Sequence, residues 1–249
     1  MSQTAQHHQR VAIITGASRG IGAAIARRLA RDGFAIAVNY ASNAAEAERV
    51  VSELHASGAR AIAVKADIAS AAEVSELFNV TERELGPVDV LVNNAGVLTT
   101  MALADTSDDL YEQTFGVNTR GTFNTLREAA QRMQPGGRII NFSSTTLALN
   151  LPGYAVYNAT KAAVEAFTHV FAKELRGKNI TVNAVAPGPV ETELFLKGKS
   201  AEQVAQFAKM PPLERLAQPD DIAGVVAFLA GPDGAWVNGQ VLRANGGLA

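Results

Sequence analysis

Tyr157 and Lys161 stand four positions apart in YNATK, within a segment whose pattern predicts a helix from Tyr154 to Arg176. Four residues is about one helical turn, so the two side chains share a face. A phenol alone is a poor base, with a pKa of about 10 in water. A nearby ammonium favours the phenolate and lowers that value. The pair then becomes an acid/base, able to protonate a developing alkoxide or deprotonate an alcohol. Ser144 ends a predicted strand thirteen positions earlier, where its hydroxyl would hold a substrate oxygen beside the phenol. Taken alone, Tyr and Lys at this spacing also fit an exposed helix pair.

A second cluster points to phosphate. Thr15-Gly16-Ala17-Ser18-Arg19-Gly20-Ile21-Gly22 lies between a predicted strand and a predicted helix. Glycines there let a backbone approach a pyrophosphate, and a helix N-terminus meets its charge. Dinucleotide sites that take NAD place a carboxylate after the second strand, to grip the ribose hydroxyls. This chain has Asn39-Tyr40-Ala41-Ser42-Asn43 instead. Arg19 is positioned to face a 2′-phosphate, with Ser42 donating a hydrogen bond, so the expected cofactor is NADP(H). The bland readings are a tight turn and a solvated arginine.

The elements that would position these groups alternate regularly. Short apolar runs begin at Val11, Phe34, Ala59, Val88, Gly137, Ile180 and Gln240. Amphipathic segments fall between them, such as Ile21 to Gly33, with Ile21, Ile25 and Leu29 at four-residue spacing. Near-continuous apolar strands alternating with helices imply an α/β fold, a doubly wound parallel sheet of about seven strands covered on both faces. Thr106 is expected to open a long helix with Asp109 as its capping-box partner. Residues 1–10 are expected to be a flexible tail and residues 11–249 a single domain. The stretch from Glu191 to Pro212 breaks the rhythm and is expected to be a lid or substrate-binding insert.

Composition narrows the function classes. The 249 residues carry a formal charge of −2 and no cysteine. A thiolate nucleophile, a disulfide framework and a Cys-based metal site are excluded. No sequence-wide basic field favours nucleic acid or an acidic membrane. The first ten residues lack the apolar core of a secretory signal, and no apolar run is long enough to span a bilayer, so a cytoplasmic location is expected. His7, His8, His55 and His169 lack partners at metal spacing, and no metal site is expected. Asp220 and Asp221 follow Pro219 at a helix start and are expected to cap it. Trp236 is expected in the core or at an interface.

TGASRGIG, NNAG (Asn93 to Gly96), VNTRG around Asn118, the FSS ending at Ser144, YNATK and PGPVET (Pro187 to Thr192) occur in one order along the chain. With these motifs the chain resembles the short-chain dehydrogenase/reductase family from Val11 to Gly247. The resemblance implies a catalytic tetrad of Asn118, Ser144, Tyr157 and Lys161. It gives Asn118 a water that links Lys161 to solvent, and Lys161 a second task at the nicotinamide ribose. The adenine would lie against Asp67 and Ile68, and Asn39 near it. Asn94, Ala95 and Gly96 would line the cofactor, followed by Pro187 and Gly188, with Val190 and Thr192 at the carboxamide. A homotetramer is implied by the same analogy.

The expected reaction is reduction of a small ketone or aldehyde, or oxidation of the matching alcohol. Thr145, Leu147, Leu149 and Tyr154 are expected to line an apolar substrate pocket. One alternative is a 3-oxoacyl-[acyl-carrier-protein] reductase, though Arg132 to Arg138 is only modestly basic for an acidic carrier. Another is a non-catalytic NADP(H)-binding redox sensor, which would have no need of Tyr157.

Overall fold

The chain builds one parallel sheet, and its apolar strands explain why. A computed structural model describes residues 9–249. His7, His8 and most of the expected tail lie outside the described residues. Gln9 and Arg10 are tied down: Gln9 Nε2 donates to Gly33 O, and Arg10 donates to Ala230 O at 2.9 Å with its guanidinium over the Phe34 ring.

The strands are β1 (Val11–Ile14), β2 (Ala35–Tyr40), β3 (Ala61–Lys65), β4 (Val88–Asn93), β5 (Arg138–Phe142), β6 (Thr181–Pro187) and β7 (Val241–Ala244). They pair in the order β3-β2-β1-β4-β5-β6-β7, all parallel. Each strand in the middle of the sheet is buried on both faces, so apolar residues need not alternate with polar ones. Ala12, Ile14, Val90 and Val92 face α1 (Gly20–Arg31), α2 (Ala44–Ala56) and α10 (Pro219–Ala230). Val11, Ile13 and Leu91 face the other way, toward α3 (Ala71–Glu84), α5 (Gly121–Arg132) and α7 (Ala155–Glu174). The chain runs outward from β1 to β3 and then crosses to β4, so strand order reverses between β1 and β4. In such sheets, ligands bind at that switch point, beyond the carboxyl ends of the strands.

The long helix expected from Thr106 is not continuous. It is α4 (Asp108–Phe115), a π-helical turn over Gly116–Arg120, and α5. Its cap is Ser107, whose Oγ accepts from Leu110 N at 3.2 Å. Thr106 instead turns its hydroxyl back to Ala102 O, closing a short 3₁₀ turn, so the expected Thr106–Asp109 box does not form. Three short helices complete the fold: α6 (Thr146–Leu149), α8 (Glu193–Leu196) and α9 (Ala201–Lys209). The last two form the body of the expected lid.

A polar ladder crosses the buried sheet. Asn93 Nδ2 donates to Asn141 Oδ1 at 2.9 Å, and Asn141 Nδ2 donates to Thr168 Oγ1 at 2.9 Å. Thr125 Oγ1 lies 2.7 Å from Asn93 Oδ1. All four are buried, and the ladder links α5 to α7 through β4 and β5. In a low-dielectric interior these groups stay only because each is partnered.

Candidate active site

The carboxyl ends of β1, β2, β4, β5 and β6 open into one cleft of about 440 Å³. Gly16, Ser18, Arg19, Gly20, Ile21 and Gly22 enter it after β1, Asn39 and Ser42 near the end of β2, and Asp67 and Ile68 after β3. Asn94, Ala95 and Gly96 enter after β4, and Ser144, Tyr157 and Lys161 from the β5 side. Pro187, Gly188, Val190 and Thr192 close it after β6. Asn118 is absent from the lining.

At the glycine end, Gly16 has a φ of +62°, and an added Cβ would stand 2.9 Å from Ala95 Cα. At Gly22 a Cβ would meet Gly16 O at 2.5 Å and Ala17 Cα at 2.9 Å, with no side-chain motion able to relieve it. Asn94 Nδ2 donates to Thr15 O and Gly16 O, and Ala95 N donates to Thr15 Oγ1, which stitches the β4 loop to the β1 loop. No side chain caps α1. Its first N–H groups therefore point outward at the positive end of a helix dipole, which fits a pyrophosphate.

Some expected contacts change in kind. Asn39 has no side-chain donor to spare: Nδ2 serves Val64 O and Ala66 O, and Oδ1 accepts from Gly16 N. It shapes the glycine turn. Asp67 Oδ1 accepts from Ala69 N, the strand-end cap that was its plainer reading. Thr192 Oγ1 accepts from Phe195 N and so caps α8. Arg19 is exposed and already paired, at 3.0 Å, with Glu193 of α8. Glu46 was not anticipated: it lines the same end of the cleft, and its Oε2 is buried with no hydrogen-bond partner among the described residues.

At the catalytic end, Lys161 Nζ lies 5.7 Å from the Tyr157 ring centroid and donates to Phe142 O at 2.8 Å. Burial holds Lys161 down to about 8. Burial also pushes Tyr157 up to about 12; its hydrogen bond with Ser144 pulls the other way, and Tyr154 adds to the rise. The expected lowering of the phenol by the ammonium is not found: desolvation of the phenolate raises it, and the group that pulls it down is Ser144. At neutral pH Tyr157 is a neutral donor beside a hydroxyl and a buried cation, an arrangement that can deliver a proton to a carbonyl oxygen. Asn118, 1% exposed in the π-helical turn, binds Val97 through both amide atoms and donates to Thr160 Oγ1 at 3.1 Å. Its side chain braces the β4 loop against α7.

Thr145, Leu149 and Tyr154 line the cleft as expected; Leu147 does not. It sits within α6, one turn of helix that carries Thr146 and Leu149 into the cleft instead. Leu151, between Leu149 and Tyr154, was missed, and so were Leu98, Phe195, Phe207 and Leu248, which come from segments distant in sequence. Phe195 and Phe207 pack edge to face at 5.3 Å.

A family model described as enoyl-(acyl carrier protein) reductase matches residues 16–249. A short-chain type dehydrogenase/reductase of Picea abies is 48% identical over 248 residues, covering 96% of this chain and 92% of that protein. The chain is a short-chain dehydrogenase/reductase. A chloroplastic NADPH-dependent aldehyde reductase-like protein of Arabidopsis thaliana is 45% identical, covering 96% of this short-chain dehydrogenase/reductase and 93% of the relative. Among solved structures, a blue fluorescent protein from a metagenomic library, in complex with NADPH, superposes with a TM-score of 0.91 at 42% identity, covering 96% and 98% of the two chains. His55 and His169 of this short-chain dehydrogenase/reductase face backbone carbonyls of Ala61 and Gly239, and no metal-binding cluster occurs among the described residues.

Proposed function

We propose that this enzyme reduces ketones or aldehydes with NADPH, with Tyr157 as the acid that protonates the nascent alkoxide. The observation that carries the reading is a single cleft holding both the uncapped N-terminus of α1 and the Ser144–Tyr157–Lys161 group. The relative named an NADPH-dependent aldehyde reductase and the NADPH-bound neighbour support the cofactor and the substrate class.

When bound, NADPH would supply hydride for the carbonyl carbon. Gly16 to Gly22 and the N-terminus of α1 would hold its pyrophosphate, and Arg19 and Ser42 the 2′-phosphate. Asp67 and Ile68 would receive the adenine, and Val190 and Thr192 the carboxamide. Ser144 and Tyr157 hold the substrate oxygen, and Tyr157 gives it a proton while the Lys161 ammonium stabilises the resulting phenolate. Leu98, Leu149, Tyr154, Phe195 and Phe207 exclude water and favour a weakly polar substrate. Residues 191–212 act as the lid.

In the acyl-carrier alternative, basic residues ahead of β5 would hold an acidic partner. Arg132 is instead bound to Glu82 and Glu128, and Arg138 is buried against carbonyls of Gly136, Gly137 and Asn179. The deciding experiment is Tyr157→Phe, assayed with a ketone panel. Loss of about 10³-fold in kcat with NADPH binding intact is expected. Retained turnover would remove the mechanism, and a wild-type enzyme that binds NADPH but turns over no ketone would point to the redox sensor.

We also propose a homotetramer. Tyr111, Phe123 and Val170 are exposed on α4, α5 and α7, while Phe228 and Trp236 are exposed beside the β7 edge of the sheet. Two separate apolar faces suit two kinds of interface. A cytoplasmic location is proposed as well, and cell fractionation tests it.

A further inference from the structure

After β7 the backbone turns through Gly246 and Gly247, whose φ values are +66° and +87°. Asn245 organises that turn. It is 7% exposed, and both ends of its amide are used. Oδ1 accepts from Gly247 N at 3.1 Å, while Nδ2 donates to Ala249 O at 2.9 Å and to Thr145 Oγ1 at 3.3 Å. Thr145 directly follows Ser144, and its own hydroxyl donates to Ala186 O at 3.2 Å. The turn is thereby tied to the strand ends beside the catalytic serine. It also lies on the end of the lid. A Cβ added at Gly246 would stand 3.1 Å from Pro211 Cβ, and one at Gly247 would stand 3.2 Å from Pro212 Cγ.

Leu248, the next residue, lines the cleft. It is the one large apolar side chain in the turn, and it packs into neither cluster of the hydrophobic core. The needs of the fold therefore do not account for it. Its N–H donates to Asn245 O at 3.3 Å, so Asn245 holds it from the main chain as well. A second cavity, of about 260 Å³, is lined by Gly246, Gly247 and Pro211. Gly188 and Pro189 line both this cavity and the cleft. The turn and the loop after β6 thus form a partition between two spaces, with Leu248 on the cleft side.

We infer that Leu248 is a specificity-determining residue that limits the size of ketone the cleft accepts, and that Asn245 is the positioning residue that holds it in place. The inference rests on the ketone-reductase reading of the cleft. Ser144 and Tyr157 fix the carbonyl oxygen, so the groups on either side of the carbonyl must fit the room that remains. A wall tied to Thr145 and braced on two prolines yields little, and overfilling a rigid apolar space costs binding. Removing the Leu248 side chain opens the cleft toward the partition, while enlarging it closes that room.

The test compares Leu248→Ala, Leu248→Phe, Asn245→Ala and the Asn245→Ala/Leu248→Ala double variant, using cyclohexanone as the small ketone and benzophenone as the large one. Rates give kcat/KM for each. Each ketone is also titrated onto enzyme loaded with NADP⁺ and read as a rise in melting temperature, which needs no turnover. NADPH affinity is followed by fluorescence. The preference for benzophenone over cyclohexanone should rise about tenfold in Leu248→Ala and fall about tenfold in Leu248→Phe, with NADPH affinity unchanged. Asn245→Ala should move it in the same direction as Leu248→Ala, and the double variant should go no further, because Asn245 acts through Leu248. If Asn245→Ala does not fold, the two Leu248 variants decide. A preference within about twofold of wild type in both of them would overturn the inference, as would a change that follows NADPH affinity instead of ketone size. An unmoved preference beside an inactive Tyr157→Phe leaves the acid/base reading standing. An active Tyr157→Phe removes that reading, while the melting shifts still report on Leu248.

Discussion

Lys161 pairs with no carboxylate among the described residues, and it is only 5% exposed. Its ammonium is therefore held in the folded state at a cost, which is why burial lowers it to about 8. Unfolding raises it back to the ordinary lysine range, so the unfolded chain binds more protons between about pH 8 and about pH 10.4. Across that window stability should rise with pH, until the raised Tyr157 reverses the trend above about pH 10. At neutral pH Lys161→Met should lose turnover yet melt a few degrees higher, about 2 kcal/mol, by calorimetry. Ketone reduction needs both the phenol proton and the ammonium. Its kcat/KM should be flat below about 7 and decline through about 8, where Lys161 loses its charge. Arg19, proposed to hold a 2′-phosphate, and Glu46 carry opposite charges in the lining of the same cleft. Arg19→Ala should raise KM for NADPH about tenfold and leave NADH nearly unchanged, while Glu46→Gln should lower KM for NADPH, both read from initial rates.

The glycine turn is the element on which cofactor binding depends. Gly22→Ala places a methyl against backbone atoms of Gly16 and Ala17. Loss of NADPH binding by fluorescence titration is expected, with a fall of about 2 kcal/mol in stability. This turn was legible from sequence because glycines between an apolar run and an amphipathic helix have few other uses. The strands were legible for the same kind of reason, each being mostly apolar, with its few polar residues not alternating regularly. The break at Gly116–Arg120 was not, because it depends on Asn118 reaching Val97 and Thr160, partners far apart in the chain. Where the Asn39 amide goes was not legible, because its partners, Val64 O and Ala66 O, lie on and just after a neighbouring strand whose register no local pattern reveals. Thr106 and Ser107 are both good caps by type, and only the preceding 3₁₀ turn decides between them. The aromatic wall from Phe195 and Phe207 lies in the segment read only as a break in rhythm.

On the scale of the whole molecule, Trp236 is 99% exposed, which removes the core half of its expected placement and leaves the interface half. Trp236→Ser combined with Phe228→Ser should reduce the sedimenting mass to a dimer or monomer without changing the fold, as read by ultracentrifugation and circular dichroism. The sheet itself raises a different problem. Strands that are oily on both sides could slide by one residue and still bury oil, so hydrophobicity alone gives them no alignment mark. Asn93 and Asn141 sit directly opposite each other in the β4–β5 pairing and exchange a hydrogen bond there. A slip of one position would separate the two amides and strand four polar groups in hydrocarbon. The pair thus acts as a detent that admits one alignment of the central strands, and with it one relative height for the loops that carry Asn94 and Ser144 into the cleft.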